Sequence, residues 1–159
     1  TLTTTTPTTT TPTTTAPLPA ECQSAMNLTE YWRKDHKGSG IKPANGDVVC
    51  DNREMVNAGR PWFRFTGAAG NRLLDHCISS TLDNSSCGTH RAIWSDSTMP
   101  KDVGIIAKID LYASWQGNCK KLIASCSAMR CSYSKPNDYI YRYDGEEFPS
   151  CSNGFCGMD

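Results

Sequence analysis

Nine cysteines carry most of the chemistry available to this 159-residue chain, at positions 22, 50, 77, 87, 119, 126, 131, 151 and 156. Thiols at this density bind metal, attack substrates or pair as disulfides. Structural zinc sites use short ligand spacings such as Cys-x-x-Cys. Here the closest pairs, Cys126/Cys131 and Cys151/Cys156, have four residues between them, and no pair of His36, His76 and His90 has the i, i+4 spacing of a zinc helix. Asp75-His76-Cys77 sets an acid, a base and a thiol in a row. Neighbouring residues do not share a strand face, so the run does not make a nucleophile with its base. Glu146-Glu147 fails as a carboxylate pair for the same reason. No phosphate-binding glycine loop and no Gly-x-Ser-x-Gly elbow occurs. The expectation is a disulfide framework in an oxidising compartment, with no catalytic residue, metal or cofactor.

Other side chains point to sugar attachment. Asn27-Leu28-Thr29 and Asn84-Ser85-Ser86 are acceptor tripeptides for N-glycans in a secreted protein. Residues 1–19 are nearly all Thr and Pro, without a charge, an aromatic ring or a cysteine, and open as Thr4-Pro pentads. Clustered threonine beside proline is the composition of O-glycosylated mucin-like stalks. The acceptor candidates are Thr3, Thr4, Thr5, Thr6, Thr8, Thr9, Thr10, Thr11, Thr13, Thr14 and Thr15. Proline bars a continuous helix there, and Leu2 and Leu18 are the arm's only large apolar side chains. The arm is therefore expected to be extended, reaching roughly 55–60 Å at about 3.1 Å per residue.

Residues 20–159 hold all the charge and all the cysteines and have the size of one domain. Lys+Arg and Asp+Glu are both 16, so no basic field recruits nucleic acid or an anionic membrane. The chain opens on Thr1 and carries neither a signal peptide nor an apolar span, which reads as a processed protein or a fragment of a longer one.

The elements that must position these residues read as strands. Trp62-Phe63-Arg64-Phe65 and Tyr139-Ile140-Tyr141-Arg142-Tyr143 are aromatic-rich runs, and residues 103–112 alternate on the way to Trp115. Asn45-Gly46-Asp47, Asp144-Gly145 and Asn153-Gly154 read as turns, and residues 30–37 as a short helical turn. Arg64, Lys108 and Arg142 interleave with apolar positions and mark solvent faces, while the aromatics at 62, 63 and 65 read as core rather than sugar-stacking platforms. The fold class is mainly β, with a small α+β arrangement as the alternative: disulfide-stapled antiparallel strands with little helix, after an extended N-terminal arm.

Ordered landmarks across residues 22–156 resemble a known family. Val49-Cys50-Asp51, Pro61-Trp62-Phe63-Arg64-Phe65-Thr66-Gly67 and Leu74-Asp75-His76-Cys77 are similar to the opening of the uromodulin-type eight-cysteine extracellular domain. Gly104-Ile105-Ile106, Trp115-Gln116-Gly117-Asn118-Cys119, the tyrosine run at 139–143 and the closing Cys151 to Cys156 segment follow in the family's order. The resemblance implies bridges Cys50–Cys151, Cys77–Cys119 and Cys87–Cys156, with a further one from Cys22 to Cys131. The family's remaining pair falls on Tyr112 and Lys120, so it is lost as a unit and leaves no orphan. Cys126 is then unmatched, either a buried free thiol or a bridge to another chain. Pairing of Cys126 with Cys22, leaving Cys131 free, also stays open, because sequence does not dictate connectivity. In the family an N-glycan near the last strand is what bacterial adhesins recognise. The matching place, Tyr143-Asp144-Gly145-Glu146, has no acceptor asparagine, so that role is not carried over at this site.

Two functions fit. The first is a non-enzymatic secreted subunit, or one repeat, of a glycosylated extracellular fibre or matrix, self-associating as its O-glycosylated arm packs on a neighbour. The second is a mucin-stalked recognition module for microbial, glycan or protein ligands. The arm and the unmatched Cys126 favour the first.

Overall fold

The computed structural model describes residues 17–35, 50–51, 55–56, 58–78, 87–115, 117–146 and 153–159. A five-residue helix, α1 (Ala20–Ser24), starts after Pro19 and leads into strand β1 (Met26–Leu28) and a 3-10 turn at Tyr31–Arg33. Then follow β2 (Phe63–Phe65), a 3-10 turn at Gly67–Ala69, β3 (Arg72–Leu73), β4 (Arg91–Trp94), β5 (Ile106–Trp115), β6 (Asn118–Arg130), β7 (Tyr139–Tyr143), β8 (Asn153–Phe155) and β9 (Gly157–Met158). The fold is mainly β with little helix, as the sequence pattern implies.

Seven strands make one sheet in the order β1-β2-β7-β6-β5-β4-β8, and β3 pairs with β9 in a small second sheet. Two ladders are parallel, β1 with β2 and β4 with β8, beside the antiparallel ones that the sequence pattern implies. Parallel neighbours need a long connection, and here each pair is joined through distant parts of the chain. β5 and β6 form the longest hairpin, closed through Gly117 at φ +79°, a left-handed value suited to glycine.

Alternation sets the core. Phe63 and Phe65 are buried on β2, Ile109, Leu111 and Ala113 on β5, and Tyr141 and Tyr143 on β7. Phe63 is the hub, with ring centroids 4.8 Å from Phe155 and 5.7 Å from Tyr141. The buried Tyr141 hydroxyl accepts the backbone N–H of Leu73 at 3.1 Å, which ties the small sheet to the large one. On the opposite face Met129, Ile140, Cys22 and Cys131 form a second cluster that seats α1.

Some expectations change. Asn153-Gly154 is not a turn but the start of buried strand β8, in register with Arg91 and Ala92. Glycine serves close approach there, since a Cβ on Gly154 would stand 3.2 Å from Thr89 Cβ. Arg64 does not mark a plain solvent face. It is mostly covered, bonds Asp138 at 3.2 Å and donates to the Cys22 carbonyl. Of residues 30–37, Tyr31–Arg33 form a 3-10 turn and Lys34 enters a bridge with Gly157, while 36 and 37 lie outside the described residues. Asn45-Gly46-Asp47 lies outside the described residues.

Candidate functional site

The covalent framework comes first. The structure pairs Cys22 with Cys131, Cys77 with Cys119 and Cys87 with Cys156, with Cα separations of 5.8, 5.6 and 5.5 Å. Cys50 is disulfide-bonded as well, and Cys151 lies outside the described residues. Cys22 sits in α1, three residues beyond Pro19, and is buried. Cys131 directly follows β6, the middle strand of the seven. The point where the arm meets the domain is thus covalently joined to the centre of the sheet.

Cys126 is a free thiol buried in the core. Burial, the dominant influence, pushes its pKa far above the ordinary thiol range, and its Sγ–H donates to the Ser127 carbonyl at 3.4 Å. A thiol in this setting is neutral and inert. Its side chain is fully buried in the folded domain.

Asp75-His76-Cys77 makes no nucleophilic centre. Cys77 is in its disulfide, His76 Nδ1 lies 3.0 Å from Asp75, and its Nε2 lies 3.6 Å from Asp35. The bond to His76 is the largest influence holding the Asp75 carboxyl below its usual value, against partial burial and with help from Arg72. Among the described residues no group of three or more His, Cys, Asp or Glu is arranged to hold a metal ion. No helix among them is long and apolar enough to cross a membrane. Glu146 is exposed, and Glu147 lies outside the described residues.

Asn27 occupies the middle of β1, an edge strand of the large sheet, with its side chain exposed. Met26 and Leu28 on either side are more buried, so the candidate acceptor asparagine alternates outward on the strand. Asn84 and the threonines from Thr3 to Thr15 lie outside the described residues.

Sequence reasoning missed three features. The first is a buried ion pair. Arg33 bonds both Asp51 oxygens at 2.7 and 2.8 Å and Glu30 at 3.0 Å, and Asp51 also accepts the Phe155 N–H at 2.6 Å. Desolvation pulls the Arg33 pKa down, but the Asp51 charge and hydrogen bonds, with Glu30, more than restore it. This pair locks the entry segment to β8, and no local pattern signals a partnership between residues 18 positions apart. The second is the Arg142 guanidinium stacked 4.9 Å over the Trp62 ring. The third is a groove of about 360 Å³ between the end of β2 and the turn before β7, lined by Arg64, Thr66, Asn71, Lys135, Asn137 and Tyr139 among others.

Comparison with known proteins places this architecture. Residues 63–157 match the family described as the uromodulin-like domain, the eight-cysteine module, and the chain belongs to that family. It is 27% identical over 139 residues to uromodulin of Rattus norvegicus, covering 85% of this chain and 18% of that protein. Uromodulin of Mus musculus is 26% identical over 136 residues, with the same coverage of 85% and 18%. The chain therefore spans less than a fifth of the length of the curated relatives it matches.

Proposed function

We propose that this uromodulin-like domain is a non-enzymatic, secreted glycoprotein module that acts as a structural subunit or repeat of a glycosylated fibre or matrix. The observation that carries this reading is the Cys22–Cys131 bridge. Tension arriving along the arm meets Cys22 within the first turn of α1 and passes through a covalent bond to the end of central β6. Without that bond it would load the five-residue α1 and the three-residue β1 directly. A sequence separation of 109 residues also makes this bridge worth roughly 4–5 kcal/mol in the chain-entropy account.

Secretion is supported by the bridging of seven of the described cysteines, a state that cytosolic thiols rarely hold. In this reading the arm threonines carry O-glycans, and the arm packs on, or adds a strand to, the next unit. Head-to-tail contacts of that kind are heterologous and generate filaments. The test compares the full chain with one lacking residues 1–19 by sedimentation and electron microscopy. Loss of assembly with a folded monomer is expected; filaments that persist without the arm overturn the reading.

A recognition module is the second reading, favoured by the exposed Asn27 on an edge strand. A glycan array, with bacterial adhesin binding before and after deglycosylation, separates it from the first.

A further inference from the structure

We propose that the groove between the end of β2 and the turn before β7 seats the first sugars of an N-glycan carried by Asn27. The inference rests on the glycoprotein part of the reading above and adds a binding site for the protein's own sugar.

Register places the two together. Asn27 on β1 is the Cα partner of Arg64 on β2 in a parallel ladder, so the two side chains leave the same face of the sheet. Arg64 is one wall of the groove, and Thr66, two residues on and on that same face, is another. The Thr66 N–H donates to the Leu28 carbonyl at 3.0 Å, so the groove floor is hydrogen-bonded directly to the strand bearing the acceptor. Neighbouring strands lie about 4.7–4.9 Å apart. Sugars leaving Asn27 on this face therefore have the groove one strand away.

The lining suits a neutral sugar better than an ion or an apolar peptide. Asn71 and Asn137 each offer an amide donor and an acceptor, Thr66 a hydroxyl, Lys135 an ammonium and Tyr139 part of a ring. The Arg64 charge is already answered by Asp138 at 3.2 Å, and the carboxylates of Asp138 and Asp159 in the same lining oppose an anion. Mixed donors and acceptors beside an aromatic ring match the hydroxyls, acetamide and apolar ring face of N-acetylglucosamine. A volume near 360 Å³ falls at the small end of ordinary ligand sites. Tethering supplies a high local concentration, so contacts too weak to hold free sugar suffice to seat an attached one. A glycan seated there also covers the outer edge of β1 against strand addition by another chain.

The test uses the full chain secreted from glycosylating cells. Mass spectrometry of the Asn27 peptide first reports occupancy. Release of the glycan from the folded protein by peptide-N-glycosidase is then timed for the wild type and for a variant combining Asn71→Ala, Lys135→Ala and Asn137→Gly. Asn137 already has φ +59°, which glycine adopts without strain, so the variant keeps its turn. Release from the variant is expected to be about tenfold faster, the scale of one net hydrogen bond lost, with an unchanged melting temperature. Equal release rates at an occupied Asn27 overturn the seating and leave the glycoprotein reading intact. An unoccupied Asn27 overturns both the seating and N-glycosylation at this site.

Discussion

The two halves of β6 solve the same problem by different means. Residues 126–129 are buried on both faces of the sheet, among Tyr141, Tyr143, Ile109 and Met129's partner Ile140. Residues 118–122 are exposed throughout. The inner half holds a cysteine, Cys126, that stays a free thiol; the outer half holds Cys119, which is bridged to Cys77. Around Cys119 the outer half adds the Trp94 indole N–H to the Cys119 carbonyl at 3.1 Å, and Lys120 paired with Asp96 and set 4.6 Å over the Tyr112 ring. Apolar burial holds a strand where the core wraps it, and a covalent bond with a few polar clasps substitutes where the core ends. At Tyr112 and Lys120, where the sequence resemblance implies a family bridge that this chain lacks, the side chains meet through a cation–π contact.

The strongest challenge to that contrast is full reduction. Opening every bridge, including one that closes 109 residues, should remove several kcal/mol from a domain whose whole stability is on the order of 5–15 kcal/mol. The expected result is loss of β-structure in circular dichroism under native buffer with reductant; an unchanged spectrum would show that the inner core alone suffices. Phe63→Ala comes next, emptying the hub of the inner core at a cost of about 3–5 kcal/mol, read as a lower urea midpoint with an unchanged slope.

Paired Cys77→Ser and Cys119→Ser changes should cost roughly 2–4 kcal/mol and act locally. Hydrogen exchange should speed at 118–122 well before 126–129, and equal loss in both halves would dissolve the distinction. Cys126→Ser puts a hydroxyl into a dry site and should cost about 1–3 kcal/mol, whereas the wild-type thiol should resist alkylation until the domain unfolds.

The smallest effect is acidic. The folded Asp75 carboxyl lies below its ordinary 3.8, chiefly through its bond to His76. The unfolded chain therefore takes up this proton first, so the contribution is present above pH 3.8 and fades as pH falls through the lower folded value. Asp75 is 42% exposed, and water screens the gain to a few tenths of a kcal/mol. Melting of Asp75→Asn against the wild type should converge at low pH and separate slightly above it.

Much of the strand pattern was legible in the residues. The alternation of Phe63 and Phe65, and of Tyr141 and Tyr143, is local information that puts each pair on one face, and the structure buries them there. Residues 103–112 read as a strand that the structure starts at Ile106, leaving Ile105 and Ile106 exposed. Asn153-Gly154 misled because a turn dipeptide and a close-packed strand glycine look identical until β4 lies alongside. Arg64 misled because its place between apolar neighbours says nothing of α1 and Asp138 closing over it.

The sequence by itself determined the density of cysteines, the alternation that makes strands, the neutral charge and the family likeness. Only the tertiary structure decided which thiol stands alone. Cys126 shares the core face of β6 with Ala128, whereas Met129 and Cys131 cluster on the other face, where α1 brings Cys22. Side chains alternate along a strand, so residues an odd number of positions apart face opposite ways. Cys22 therefore meets Cys131 and cannot reach Cys126, a choice made by the side of the sheet on which α1 packs.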